Sequence, residues 1–191
     1  IKNPQDVKEL ESAIITLAIS GKLVPQDEAE GMAEQLYMQI KAHQESQDNG
    51  SVRKKKQKDL LPITPEEIPF VIPESWKWLR LGEVMNISSG DALKVKEAIQ
   101  GEYLVYGGNG IAGKHSSFNA KKGTIVIGRV GALCGIAHIV ESDAWVTDNA
   151  FIVSYPEVFL NKEFFALTLN FLKLRSNHRG SAQPVISGIS V

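Results

Sequence analysis

The chain has one cysteine, Cys134, among 191 residues. A single thiol excludes an internal disulfide and any cysteine-based zinc cage, and it fits a reducing cytoplasm. No apolar run approaches the roughly 18 to 20 residues that a membrane-spanning helix needs. No basic stretch followed by an apolar one opens the N-terminus, so no signal peptide is visible. The chain begins at Ile1 rather than Met, as a fragment would. Net charge is nearly absent, with 21 basic against 22 acidic residues. The most informative shortage is local: Tyr103 to Val140 contains no Asp or Glu, yet carries Lys114, Lys121, Lys122 and Arg129 among glycines and short apolar runs. After Glu163 no acidic residue occurs either, while Lys173, Arg175, His178 and Arg179 do. Such windows in a near-neutral chain are local positive fields, and a polyanion is the first ligand to weigh.

What is present divides the chain. Residues 1–71 hold 9 basic and 12 acidic residues, and 72–191 hold 12 and 10. The first part has helical periodicity. Asn3 before Pro4 is a start signal, with Asn as N-cap and Pro at the first helical position. Val7, Leu10, Ile14 and Leu17 then form one apolar stripe, Gly21 suits a C-cap, and Pro25 prevents continuation. Asp27 with Glu30 resembles a capping box for a second helix, whose stripe is Ala29, Met32, Ala33, Leu36, Tyr37 and Ile40. The two helices either pack on each other or present a surface to a partner. Residues 49–71 look like a linker, with the basic run Arg53 to Lys58 and prolines at 62, 65 and 69. That run is either a solvated charge run or an auxiliary phosphate contact.

From Ile72 the pattern becomes short strands, expected at Trp78 to Leu81, Tyr103 to Tyr106, Thr124 to Gly128, Gly135 to Val140 and Phe151 to Tyr155. Asn161 can cap a helix running to about Leu174, apolar nearly all round and therefore expected to be buried. The fold class is α+β: a mixed domain of short twisted strands and one buried helix, after a two-helix segment. The expected division is 1–48, 49–71 and 72–191.

No catalytic set emerges. Gly108 to His115 approaches a phosphate loop, but His115 stands where Ser or Thr must hold magnesium, and no helix follows. Asp148-Asn149-Ala150-Phe151 faintly resembles the tetrapeptide of amino-group methyltransferases, without its prolines. His43, His115, His138 and His178 lack metal-ligand spacing. Cys134 reads as a small buried residue at a strand start. The chemistry that remains is binding. Asn109, Ser116, Ser117, Asn119 and Gln183 are amide and hydroxyl types that read base edges, while Lys and Arg hold phosphates. Arg175 to Gln183 forms a second candidate contact loop.

Several blocks carry a resemblance. Ile72-Pro-Glu-Ser-Trp-Lys-Trp-Leu-Arg-Leu-Gly82 is similar to the opening of a target-recognition domain in the specificity subunit of type I restriction-modification enzymes. Tyr106 to Gly113, Ile127 to Gly131, Cys134-Gly135, Trp145 to Ala150 and Gly180 to Pro184 resemble further blocks of that domain, in the same order. Leu17 to Gln26, the Met32 to Lys41 helix and the basic linker resemble the segment beside that subunit's conserved helices. The resemblance implies a non-catalytic DNA-binding subunit. Its partners are modification subunits that methylate adenine N6 with S-adenosylmethionine and restriction subunits that use ATP and magnesium, so it needs no cofactor of its own. One recognition domain is present, so the chain looks like the N-terminal half of such a subunit, reading one half of a bipartite target.

On this reading the glycines and Trp76, Trp78 and Trp145 are scaffold, and DNA contacts fall in the less family-like loops, Ser88 to Gln100 and Lys114 to Lys122. Lys94, Lys96, Lys114, Lys121, Lys122 and Arg179 are expected on phosphates. His115, Ser117 and Asn119 are expected on bases, and Asn109, Arg175 and Gln183 are further candidate contacts. Arg129 either binds phosphate or anchors a loop. The competing classes are a helical protein-interaction module and a diverged methyltransferase or nucleotide-binding enzyme.

Overall fold

The structure, a computed structural model, describes residues 3–48, 61–93, 101–172 and 174. It divides into two compact units, Ile1–Val84 and Met85–Val191. The basic run 53–58, Lys94, Lys96, Arg175, His178, Arg179, Gln183 and the Gly180 to Pro184 block lie outside the described residues.

In the first unit, helix α1 spans Pro4–Ile19 and α2 spans Ala33–Asp48. Asn3 caps α1 as its sequence implies: its side chain accepts from Asp6 N–H at 2.9 Å, and Asp6 Oδ2 accepts from Asn3 N–H in return. Gly21 adopts φ +68 just past the helix end, the left-handed turn that favours glycine. Asp27 does cap, but only a 3-10 turn over Glu28–Glu30; Gly31 at φ +78 breaks the chain before α2. The α1 stripe of Val7, Leu10, Ile14 and Leu17 stays 42–48% exposed.

The unit is closed instead by the segment 61–84, which packs on α2. Tyr37 Oη donates to Glu83 Oε1 at 2.6 Å, and Gln44 donates to Glu83 O. That bond to Glu83, with burial behind it, pushes the Tyr37 hydroxyl up to about 12. Lys77 pairs with Glu34, and Trp76 Nε1 donates to Gln26 at 2.7 Å. Arg80 grips Glu67 with two guanidinium nitrogens, at 3.0 and 2.8 Å, and also donates to the carbonyls of Leu61 and Pro62. The hydrogen bonds from Arg80 and then from Thr64 N–H hold the Glu67 carboxyl down at about 2. These contacts put the break between units at Val84/Met85, whereas composition alone suggests a change at Ile72. They also explain why Trp78 to Leu81 is not a strand. Glu83 Oε2 accepts from Arg80 N–H at 2.7 Å and caps a short helical turn, α3, over Leu81–Val84.

The second unit is α+β. Its strands are β1 (Asn86–Ser89), β2 (Tyr103–Gly107), β3 (Gly110–His115), β4 (Ile125–Gly128), β5 (Ala137–Ile139), β6 (Ala144–Val146) and β7 (Ala150–Ser154). One sheet has the order β1-β7-β4-β5, all antiparallel. The other has the order β3-β2-β6, with β2 antiparallel to β3 and parallel to β6. Helix α4 (Lys162–Phe171) begins at Asn161, whose side chain accepts from Phe164 N–H, and lies against β5. Three strands escape a reading of composition. β3 is GIAGKH, poor in β-branched residues, and becomes a strand only through its pairing with β2.

The core lies between the sheets. Tyr106, Ala144 and Val146 on the three-stranded sheet pack with Val126 and Ala150 on the other, joined by Ala120 and Val140. Strand alternation sends Ile125 and Ile127 to the opposite face of β4, and both are fully buried. Phe165, Ala166 and Leu169 of α4 are buried, but Phe164 and Leu172 remain about 40% exposed, so α4 is amphipathic rather than enclosed.

A side-chain amide closes one edge of each sheet, at β5 and at β6. At edge strand β5, Ala137 N–H donates to Asn170 Oδ1 at 2.7 Å and Asn170 Nδ2 donates to Ala137 O at 3.0 Å. Asn170 thus supplies what one residue of a further strand would supply. Asn170→Ala is expected to lower the unfolding free energy by about 1–3 kcal/mol, the cost of leaving such backbone groups unpaired. Urea denaturation checks this; an unchanged midpoint would contradict it.

Candidate nucleic-acid interface

The acid-free window folds into two kinds of surface. One is a junction of loops. The β2–β3 turn at Gly108 and Asn109, the 128–136 loop and residues 147–149 cross there at close range. A Cβ on Gly108 would stand 2.3 Å from Val130 O, and one on Gly128 would stand 2.4 Å from Leu133 O. Only glycine allows these backbone crossings. Asn109 Oδ1 accepts from Ala132 N–H at 2.6 Å and lies 2.1 Å from the Cβ position of Gly131, which adopts φ +86. Cys134 is fully buried, and its thiol donates to Arg129 O at 3.2 Å. Arg129 N–H donates to Asn149 O at 3.0 Å. The Arg129 guanidinium donates to Asp148 O at 3.4 Å and lies 5.4 Å from the Phe151 ring. Arg129 therefore has an anchor's contacts while its side chain stays partly open.

The other surface is the stretch from Lys114 to Lys122. Its first residues complete β3, and its far end docks on β6. Asn119 closes the β6 edge: Val146 N–H donates to its Oδ1 at 2.7 Å, and its Nδ2 donates to Val146 O at 2.9 Å and to Asp91 Oδ2 at 2.8 Å. Asp91 N–H donates to the same carbonyl at 3.0 Å, so the start of the 91–100 segment is tied to this strand. His115 is only 9% exposed, with its imidazole edge-on to Trp145 at 4.5 Å. Lys114, Ser116, Ser117, Lys121 and Lys122 are exposed.

The structure thus brings Lys114, Ser117, Lys121 and Lys122 onto one open stretch. It holds Asn109 and Asn119 in hydrogen bonds within the scaffold, and His115 buried against Trp145, so a base contact would require breaking those bonds or that ring contact. Both amide hydrogens of Asn119 are already committed.

The positive field is also less uniform than the window suggests. Asp143, from the β5–β6 turn, meets Lys121 Nζ at 3.0 Å. The N–H of Lys122, and after it the ammonium of Lys121, hold the Asp143 carboxyl below its usual range. Lys162 Nζ lies 3.6 Å from the Cβ position of Gly123 and adds a cation from outside the window. No signal in the sequence pairs these residues, because the contacts are made by folding. Among the described residues, no group of three or more His, Cys, Asp or Glu is placed to hold a metal ion, and no helix is long and apolar enough to cross a membrane.

The crossing glycines should therefore matter for folding. Gly128→Ala forces backbone apart and is expected to cost about 1–3 kcal/mol, as overpacking does, whereas Lys114→Ala should stay within about 0.5 kcal/mol. Equal denaturation midpoints for the two variants would contradict this assignment.

Residues 73–188 match the family model of the type I restriction modification DNA specificity domain. The type I restriction enzyme EcoAI specificity subunit of Escherichia coli is 44% identical over 88 residues, covering 46% of this chain and 15% of that protein. The EcoEI specificity subunit of Escherichia coli is 42% identical over 83 residues, 43% of this chain and 14% of that protein. A solved type I restriction-modification S subunit from M. genitalium aligns with a TM-score of 0.49 at 18% identity, covering 54% of this chain and 29% of that one. The chain spans a small part of the length of each relative. The match over 73–188 is more than half of the chain, and by it the chain belongs to the family of the type I restriction modification DNA specificity domain.

Proposed function

We propose that the chain is the DNA-recognition part of a non-catalytic specificity subunit, reading one half of a bipartite duplex target. The observation that carries this reading is the family match over 73–188. The exposed stretch with Lys114, Ser116, Ser117, Lys121 and Lys122 supports it, because ammonium groups suit phosphates and hydroxyls suit base edges. Lys114 and Lys122 hold phosphates and Ser117 faces the groove. Arg129 mainly anchors its loop. Lys94, Lys96, Arg175, Arg179 and Gln183 complete the proposed contact set from the sequence alone.

The same reading assigns the subunit's partners. Modification subunits would methylate adenine N6 on the chosen site, and restriction subunits would cut. S-adenosylmethionine, ATP and magnesium would belong to those subunits, and the assembly would work in the cytoplasm. The exposed α1 stripe of Val7, Leu10, Ile14 and Leu17 supports a protein contact by the first unit, since exposed apolar residues in register suit another helix.

Binding of the 191-residue chain to duplex DNA of unrelated sequences, titrated with salt, tests the reading. Lys114→Ala and Lys122→Ala should each weaken binding to every duplex and lower the slope of log K against log salt by roughly one unit. Slopes unchanged in both variants would overturn the proposed phosphate contacts.

A further inference from the structure

The ion pair between Lys121 and Asp143 joins residues 22 positions apart. Asp143 uses both carboxylate oxygens. Oδ2 accepts from Lys121 Nζ at 3.0 Å, and Oδ1 accepts from the main-chain N–H of Lys122 at 3.0 Å. An ammonium and a neighbouring main-chain N–H, aimed at two oxygens of one anion, make an arrangement that binds phosphate as well as carboxylate.

The cradle is built rather than incidental. Lys121 Nζ lies 4.1 Å from the centre of the Phe118 ring, and Phe118 packs on Tyr103 at 5.0 Å. The ammonium is therefore held from two sides, yet the Lys121 side chain is 73% exposed. The turn that follows passes through Gly123 at φ +91, and Lys162 Nζ lies 3.6 Å from the Cβ position there. Lys162 is only loosely paired, at 3.8 Å, with its neighbour Glu163. Three lysines thus flank one turn, and the oxyanion place beside it is taken by the protein's own carboxylate. An exposed ion pair of this kind is weak and competes poorly with a stronger anion.

We infer that the 121–123 turn is a cradle for a nucleic-acid backbone phosphate and that Asp143 is its resident competitor, which must release Lys121 before phosphate can take its place. The inference rests on the DNA-binding reading above. It makes Asp143 a brake on binding that acts alike on every duplex and keeps the chain off bulk DNA.

Asp143→Asn tests this in the 191-residue chain, because it keeps an acceptor for Lys122 N–H while removing the charge. It should tighten binding to duplexes of unrelated sequence by about 3–10-fold at low salt and steepen the salt slope by about one unit, as one freed cation would. In a Lys121→Ala background the same substitution should leave the slope where it was. Lys121→Ala alone gives a check that does not depend on altering Asp143: it should lower the slope by less than Lys114→Ala does. An unmoved slope in Asp143→Asn, an equal gain with Lys121 absent, or a full-unit loss from Lys121→Ala alone would overturn the inference while leaving the DNA reading in place. A wild-type chain that binds no duplex at any salt would overturn both.

Discussion

Short sheets have edges, and an edge exposes main-chain N–H and C=O groups that must find partners. In the second unit this need is met at two of the four edges by side-chain amides. Asn119 completes β6 at Val146, and Asn170 completes β5 at Ala137. Each amide offers one acceptor and a donor pair in the geometry of a backbone peptide, so it substitutes for a missing strand without adding one. Because Asn119 also holds Asp91, the edge of the three-stranded sheet fixes where residues 91–93 leave the sheet and where the 114–122 stretch ends. The glycine crossings solve the companion problem. Loops meet at backbone distance near Gly108 and Gly128, where any side chain would force them apart, and Gly131 leaves room for the Asn109 side chain.

This scaffold decides which cations are available. Tyr103 to Val140 lacks acid along the chain but not in space. The Asp143 carboxylate reaches Lys121 and the Asp91 carboxylate reaches Asn119. Folding thus converts a diffuse positive window into a short exposed stretch, Lys114 to Lys122, in which Lys114 and Lys122 face solvent and Lys121 is held back. Rigid glycine and amide contacts lie beneath, and exposed polar side chains lie above.

Most local signals in the sequence are sound, but Asp27 caps only a 3-10 turn and Trp78 to Leu81 forms no strand. The Asn3-Pro4 start, the Gly21 turn and the Asn161 cap are encoded within a few residues, and each stands where the sequence implies. So do β2, β4 and β7, rich in Val, Ile and aromatics. The glycine blocks read as scaffold, and their crossings agree. β1 (NISS) and β3 (GIAGKH) are hidden because their pairing, not their composition, makes them strands, and β6 (AWV) because it is only three residues long. The α1 stripe has helical spacing, yet spacing says nothing of what covers it, and it remains exposed. Asn119 reads as a base contact because an unpaired amide and a paired amide are the same letter; only the partners at Val146 and Asp91 distinguish them. Arg80 and Glu67, thirteen positions apart, carry no motif, yet they move the boundary of the first unit past Ile72.

The central claim is that an amide- and glycine-braced scaffold presents one exposed lysine-bearing stretch to duplex DNA. Amide hydrogen exchange of the 191-residue chain, with and without duplex at low salt, tests it most directly. Exchange should slow on DNA addition in peptides covering 116–122, while the crossing loops at 107–110 and 128–136 stay as they were. Protection confined to the crossing loops, with 116–122 unchanged, would contradict the claim.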